Sequence, residues 1–273
     1  MRHKLMIFSI ILVFLHLSCD VVTTNIEDQG TNPVDPDDPT YEPPDVTIVT
    51  GPREGETILN DNITIKLSGN IEDCQYNYQL DENPWSGWQN ESIIKIDNLN
   101  EGEHIFKVKA RYTTGEEMDT PLTISFYVDA IKGPSLWIKD KKSEIAKDES
   151  FYIEVIAEEV KNLAMASIGL EFNPEYLKVI NCSPATESEL LKDHQLIHIN
   201  NWKNQDGLLS AYLGLQSDES QSLSGSGAIF IIQIQAKKPG QTSINFGGGC
   251  CFRDYDNKTI NIESKSTGLV EID

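Results

Sequence analysis

From residue 46 onward, apolar residues recur at every second position, and no helical stripe competes with that rhythm. Ile63, Ile65 and Leu67 alternate with Thr64, Lys66 and Ser68. Tyr76, Tyr78 and Leu80 repeat the pattern, as do Ile94 and Ile96, the stretch 104–112 and the stretch 122–128. A period of two sends successive side chains to opposite faces of an extended strand, so each such segment can bury one face and wet the other. Gly, Asn, Asp and Pro punctuate the segments at short intervals, as turns between antiparallel strands require. The pattern predicts an all-β chain made of two β-sandwiches in tandem, over residues 46–131 and 134–273.

In the second segment the same reading predicts nine or ten strands: 135–140, 151–157, 164–172, 177–182, 196–201, 208–215, 227–236, 242–246, a weaker 259–262, and 268–272. Their spacing fits a nine-stranded jelly roll or sandwich. Three strands expose a face of interest. If Ile197 and Ile199 point inward, His198, Asn200 and Trp202 point outward. If Leu209, Ala211 and Leu213 point inward, Ser210 and Tyr212 point outward. If Ile168, Leu170 and Phe172 point inward, Ser167, Gly169 and Glu171 point outward.

Ahead of the strands lies a segment of different chemistry. Arg2 and Lys4 precede an apolar run, Leu5 to Leu17, interrupted only by Ser9 and His16. At 1.5 Å per residue that run reaches roughly 20 Å, short of the roughly 30 Å of bilayer hydrocarbon. Residues 1–18 therefore read as a secretory signal peptide, with an uncleaved anchor as the alternative. Residues 19–45 follow as a linker. From Asp20 it holds eight acidic residues, five prolines and no Lys or Arg, which predicts an extended, disordered tether.

The whole chain carries 43 acidic against 22 basic residues, a net charge of −21. Such a surface repels the phosphate backbone, so no nucleic-acid partner is expected. Beyond the leader no apolar run is long enough to span a membrane. The five cysteines are Cys19, Cys74, Cys182, Cys250 and Cys251. In an exported chain a disulfide would pair Cys182 with Cys250 or with Cys251, leaving Cys74 single and buried. No CxxC pair occurs and the five histidines are scattered, so no structural zinc site and no cofactor is expected.

Catalytic patterns are equally sparse. There is no GxSxG elbow. Cys250 or Cys251 with His194 or His198 could form a nucleophile–base pair, but GGGCC reads better as a turn between strands. A calcium loop begun at Asp254 would need Gly at its sixth position and Glu at its twelfth, where the chain has Thr259 and Lys265. Trp85 and Trp88 could stack on sugar rings or cover the first sandwich's core.

Three resemblances add to this reading. Ser18–Cys19 after the apolar run resembles the lipobox of bacterial lipoproteins, with His16 where Leu is usual. It implies a lipidated Cys19, a membrane contact through that lipid alone, and a place at the outer membrane or cell surface of a bacterium. An ordinary cleaved leader with an incidental Cys is the alternative. YNYQLDENPWSGW (76–88) and NLNEGEHIFKVKARYTTGE (98–116) resemble bacterial immunoglobulin-like or fibronectin-III-like modules, carried by Leu99, Gly102, His104, Phe106, Val108 and Ala110. KDESFYIEVIAEEVKNLAMASIGLEFNPEYLKV (147–179), GLLSAYLGL (207–215), SGSGAIFIIQIQAKKPGQTSINF (224–246) and GLVEI (268–272) resemble the cohesin family in order and spacing, with Asn173 where an acid is usual. That last resemblance implies a non-catalytic module that docks a dockerin on another protein, often a polysaccharide-degrading enzyme. Any calcium would then sit on the partner. Ser167, Gly169, Glu171, His198, Asn200, Trp202, Ser210 and Tyr212 would line the docking face. A carbohydrate-binding module of the same sandwich type, taking a polysaccharide directly, is the rival.

Overall fold

The computed structural model describes residues 31–216 and 222–273; the leader, Cys19 and the first part of the tether lie outside the described residues. Residues 43–273 form one compact unit, separate from the segment before it. Among the described residues every regular element is a strand.

The first sandwich contains β1 (Val46–Thr50), β2 (Glu56–Ile58), β3 (Ile63–Gly69), β4 (Gln75–Leu80), β5 (Ile93–Ile96), β6 (Gly102–Arg111) and β7 (Leu122–Val128). One sheet runs β1-β3-β5 and the other β2-β7-β6-β4. The alternating residues behave as the period requires: Ile63, Ile65 and Leu67 are buried between exposed Thr64, Lys66 and Ser68. His104, Phe106, Val108 and Ala110 line the buried face of β6. Cys74 is buried and free, as the sequence suggested. Trp85, expected to cover the core or stack on sugars, is about a third exposed, and the Arg111 guanidinium lies 4.5 Å above the ring of Trp88.

The second sandwich contains β8 (Ser135–Ile138), β9 (Lys142–Ile145), β10 (Ser150–Leu163), β11 (Met165–Phe172), β12 (Leu177–Pro184), β13 (Leu196–Lys203), β14 (Leu208–Leu215), β15 (Leu223–Ala236), β16 (Gly240–Phe246), β17 (Cys251–Arg253), β18 (Thr259–Ile260), β19 (Ser264–Ser266) and β20 (Gly268–Ile272). One sheet has the order β12-β15-β10-β8-β19. The other runs β13-β14-β11-β16-β20-β9, with β17 continuing along β11 and β18 beside it. The expected nine or ten strands are present. The additional ones, β9, β17 and β19, are three or four residues long, too short to show a period. A single apolar core fills the space between the sheets, with Phe230, Phe252, Leu136 and Ile168 essentially inaccessible.

Residues 31–42, expected to be extended, instead make successive turns. The Asp38 carboxylate accepts from the backbone N–H of Asn32 and Thr40 and from the Thr40 hydroxyl. Aspartate offers the backbone these local bonds, and they lower the Asp38 pKa through the Thr40 hydroxyl first.

The two sandwiches meet through polar side chains. Lys141, buried, places its ammonium 3.1 Å from Asp61 and 3.8 Å from Glu101. Asn100 donates to the Asp140 carboxylate and accepts from the Asp140 N–H. Glu101 also accepts from the N–H groups of Ala130 and Ile131, in the connection between the sandwiches. Burial of Glu101 pushes its pKa up in spite of these bonds.

Inside the first sandwich, His104 faces acceptors at both ring nitrogens: Asp81 Oδ2 at 2.8 Å and the Asn100 carbonyl at 2.9 Å. Burial alone would lower its pKa, but these bonds and the Asp81 charge outweigh that and raise it. Burial likewise opposes ionisation of Asp81, yet His104 and the Ile105 N–H hold its pKa down. The His104 contribution is complete below its ordinary pKa of 6.5 and is lost as pH rises through the raised folded value. The Asp81 contribution is complete above 3.8 and is lost as pH falls through the lowered folded value. Stability from this pair is therefore greatest between about pH 4 and pH 6.5 and declines toward alkaline pH. Urea denaturation between about pH 6 and pH 9 is expected to show the decline in the wild type and to lose it in His104→Gln.

Candidate docking face

The outer face of the larger sheet is set by cross-strand register. β13 pairs β14 with Trp202 opposite Leu209, Asn200 opposite Ala211 and His198 opposite Leu213. Residues directly opposite in an antiparallel pair share a face. Leu209, Ala211 and Leu213 are buried, so Trp202, Asn200 and His198 belong to the inner row. Trp202 packs against the core, and Asn200 reaches across the sandwich to donate to the Cys182 carbonyl at 2.5 Å. His198 remains exposed on this edge strand. The outward assignment of these three residues is therefore reversed.

Ile197 and Ile199, expected inward, point to solvent at 55% and 65% exposure. Ile199 stands opposite Tyr212, itself 50% exposed, and Ile197 opposite Gly214. Met165 and Leu208 extend the row at 48% and 45%. These five apolar side chains occupy one face of three adjacent strands. Ser210 is half-buried and Asn201 exposed between them.

β11 explains where that face ends. Ser167 and Gly169 do point outward, but they are covered. The chain leaves β16 at Phe246, opposite Leu170, and rejoins β11 at Cys251, opposite Ser167. Four residues thus span a gap of two, and Gly247–Cys250 bulges over the strand. A Cβ on Gly169 would lie 2.2 Å from the Gly248 carbonyl oxygen, so only glycine allows the crossing. The Ser167 hydroxyl donates to the Gly249 carbonyl, and the Gly247 N–H donates to the Gly169 carbonyl at 2.9 Å. Glu171 remains exposed at the end of the row.

The cysteines do not pair as expected. All four described cysteines are free. Cys182 sits on β12 in the smaller sheet, whereas Cys250 and Cys251 lie along β11 in the larger one. Facing sheets are about 10 Å apart, beyond the roughly 7 Å Cα limit for a disulfide. Nor does the Cys–His pairing assemble on β13: His198 and Cys251 are separated by β14 and β11, three strand spacings or about 14 Å. The Asp254 turn is closed internally, with the Lys258 N–H on Asp254 Oδ1 and the Lys258 ammonium on Asp256. Among the described residues no cluster of three His, Cys, Asp or Glu is arranged to hold a metal ion.

The glycine crossing can be tested against a neighbour. Gly169→Ala is expected to displace the 247–250 segment and cost about 1–3 kcal/mol of stability. Gly214→Ala, on the same outer face, meets nothing within 4 Å and is expected to be nearly neutral. Chemical denaturation of the two variants gives the comparison.

No protein-family model matches the chain, and no curated protein matches it. Solved structures do. The chain is similar to a type II cohesin domain from the cellulosome of Acetivibrio cellulolyticus, at 13% identity and a TM-score of 0.43, over 50% of this chain and 94% of that one. It is similar to a non-cellulosomal cohesin from the archaeon Archaeoglobus fulgidus, at 12% identity and a TM-score of 0.40, over 51% and 90%. A type I cohesin–dockerin complex from Clostridium thermocellum gives 19% identity and a TM-score of 0.41, over 51% and 98%. About half of this chain is thus similar to cohesin domains of both type I and type II.

Proposed function

We propose that this chain is a non-catalytic docking protein, held outside the cell by a lipid on Cys19, whose second sandwich binds a dockerin-type module on another protein. The observation that carries the reading is the row Ile197, Ile199, Tyr212, Leu208 and Met165, exposed together on the outer face of β13, β14 and β11. Scattered exposed apolar residues need no explanation, but a group of them on one face of adjacent strands supports an interaction surface. Tyr212 at its centre is the type of residue that anchors protein interfaces. The sequence resemblance to cohesins supplies the partner class. In this reading the first sandwich is a spacer, and the lipid would keep captured enzymes at the cell surface.

Calcium-loaded dockerin modules titrated onto the immobilised full-length chain provide the test. Ile199→Asp is expected to weaken binding by about 2 kcal/mol or more, as for a central interface residue, with little change in thermal stability. Trp202→Ala is expected to act in the opposite sense, lowering stability because its ring packs on the core. Retention of the wild type on insoluble polysaccharide, with no response to dockerins, would replace this reading with direct carbohydrate binding. For the anchor, metabolic labelling with a fatty acid is expected to mark the wild type and to be lost in Cys19→Ser.

A further inference from the structure

Acidic residues outnumber basic ones by 43 to 22, so a row of cations that faces no acid is a departure from the rest of the chain. The outer face of the four-stranded sheet in the first sandwich carries such a row. His104, Phe106, Val108 and Ala110 take the buried side of β6, so Glu103, Ile105, Lys107, Lys109 and Arg111 take the other. The last three lie in line, with about 7 Å between successive side chains. The residues directly opposite on β4 are neutral amides: Gln79 faces Lys107, Asn77 faces Lys109 and Gln75 faces Arg111. On the other flank, β7 sets Thr123 opposite Lys107 and Ser125 opposite Ile105. Glu117 meets the row at its end, 3.8 Å from Arg111.

Neutral oxygens hold the three cations in place. Lys107 donates to the Gln79 amide oxygen at 3.5 Å, Lys109 to the Asp119 backbone carbonyl at 3.1 Å, and Arg111 Nε to the Gln75 amide oxygen at 2.8 Å. These bonds orient the charges without neutralising them. The Gln75 amide nitrogen donates in turn to Asn90 at 3.0 Å. The chain around Gln89 runs beside β4, exchanging backbone bonds with Tyr76. That path brings the half-exposed Trp88 ring to 4.5 Å from the Arg111 guanidinium. Trp85, 37% exposed, belongs to the same loop. An amide and an aromatic ring thus fix the guanidinium, and a group ordered beforehand loses little freedom on binding.

We propose that this face binds an acidic polysaccharide, a polymer whose sugar rings carry carboxylates. Cations in line complement a chain of repeated negative charge. The Arg111 guanidinium suits a planar carboxylate, and the one bond given above for each Lys ammonium leaves it further N–H donors. The amides of Gln75, Asn77 and Gln79 both donate and accept, as sugar hydroxyls do. Trp88 and Trp85 offer apolar ring faces on which the C–H faces of sugars can lie. The amides and rings favour a glycan over an acidic peptide, which brings carboxylates with few hydroxyls. The net charge of the chain repels such a polymer at a distance, but at about 0.15 M salt that repulsion is screened beyond about 8 Å and the local row decides. The site lies on the first sandwich and stands whether or not the second docks a protein.

The experiment titrates four soluble probes onto the immobilised full-length chain at physiological salt: polygalacturonate, its methyl-esterified form, polyglutamate and phosphatidylglycerol vesicles. The wild type is expected to bind polygalacturonate and to lose most of that affinity on esterification, which removes the charge and keeps the rings and hydroxyls. Lys107→Glu combined with Lys109→Glu is expected to weaken binding about tenfold or more. The neutral pair Lys107→Gln with Lys109→Gln should show a smaller loss in the same direction. Lys66→Glu with Lys95→Glu makes the same charge change at exposed positions of the other sheet and should leave binding unchanged. Thermal melting of each variant separates lost contacts from lost folding. Dockerin binding is read separately, so failure of either reading is visible by itself. No binding by the wild type, or equal affinity for the esterified polymer, would overturn the proposal. So would equal or tighter binding of polyglutamate or of the vesicles, or equal losses in the two charge-reversed variants.

Discussion

The second sandwich depends on the pairing of β10 with β15, two fourteen-residue strands in antiparallel register from Ser150 opposite Gln235 to Leu163 opposite Leu223. β8 flanks one side and β12 the other, so the ladder is interior and its backbone groups are bonded in both directions. Ile153, Val155, Phe230, Ile232 and Ile234 turn one face of it into an apolar floor. Each such side chain contributes roughly 1.5–3 kcal/mol by leaving water, an upper estimate since the unfolded chain is not fully extended. Near one end the register slips, and Glu159 and Asn162 adopt positive φ. Their N–H groups there bond to Ser226 and Ser224 instead of to the ladder. The inward row of β11, Ala166, Ile168, Leu170 and Phe172, belongs to the same apolar core.

Much of this was legible in the residues, and the exceptions have physical reasons. Long strands such as β6, β10 and β15 repeat their alternation often enough to be unmistakable. β2, β9 and β19 are short and pair in parallel with distant partners, and neither property leaves a local pattern. β13 failed differently. Its sequence LIHINNWK offers two apolar rows, Leu196 with Trp202 and Ile197 with Ile199. Periodicity favours the closely spaced isoleucines, but register against Leu209 and Leu213 decides for the other row. A one-residue choice of phase then reversed the whole strand. The expected disulfide failed because spacing along the chain says nothing about which sheet a cysteine joins.

The candidate face follows from two local decisions. β13 lies at the sheet edge, where little covers its outward isoleucines. β11, next but one, carries Gly169, and the missing side chain admits a second segment above it. One strand pair stays open while the adjoining strand is roofed. The roof rejoins β11 at Cys251, opposite Ser167 and next along the outer row to the exposed Met165.

Lys141 and Asn100 give the junction between the sandwiches a mechanical character. Each reaches from one sandwich into the other, and each has more than one bond there. The bonds run both ways across the junction, so the orientation in which the second sandwich presents its outer face is tied to five polar residues that are not on that face: Asp61, Asn100, Glu101, Asp140 and Lys141.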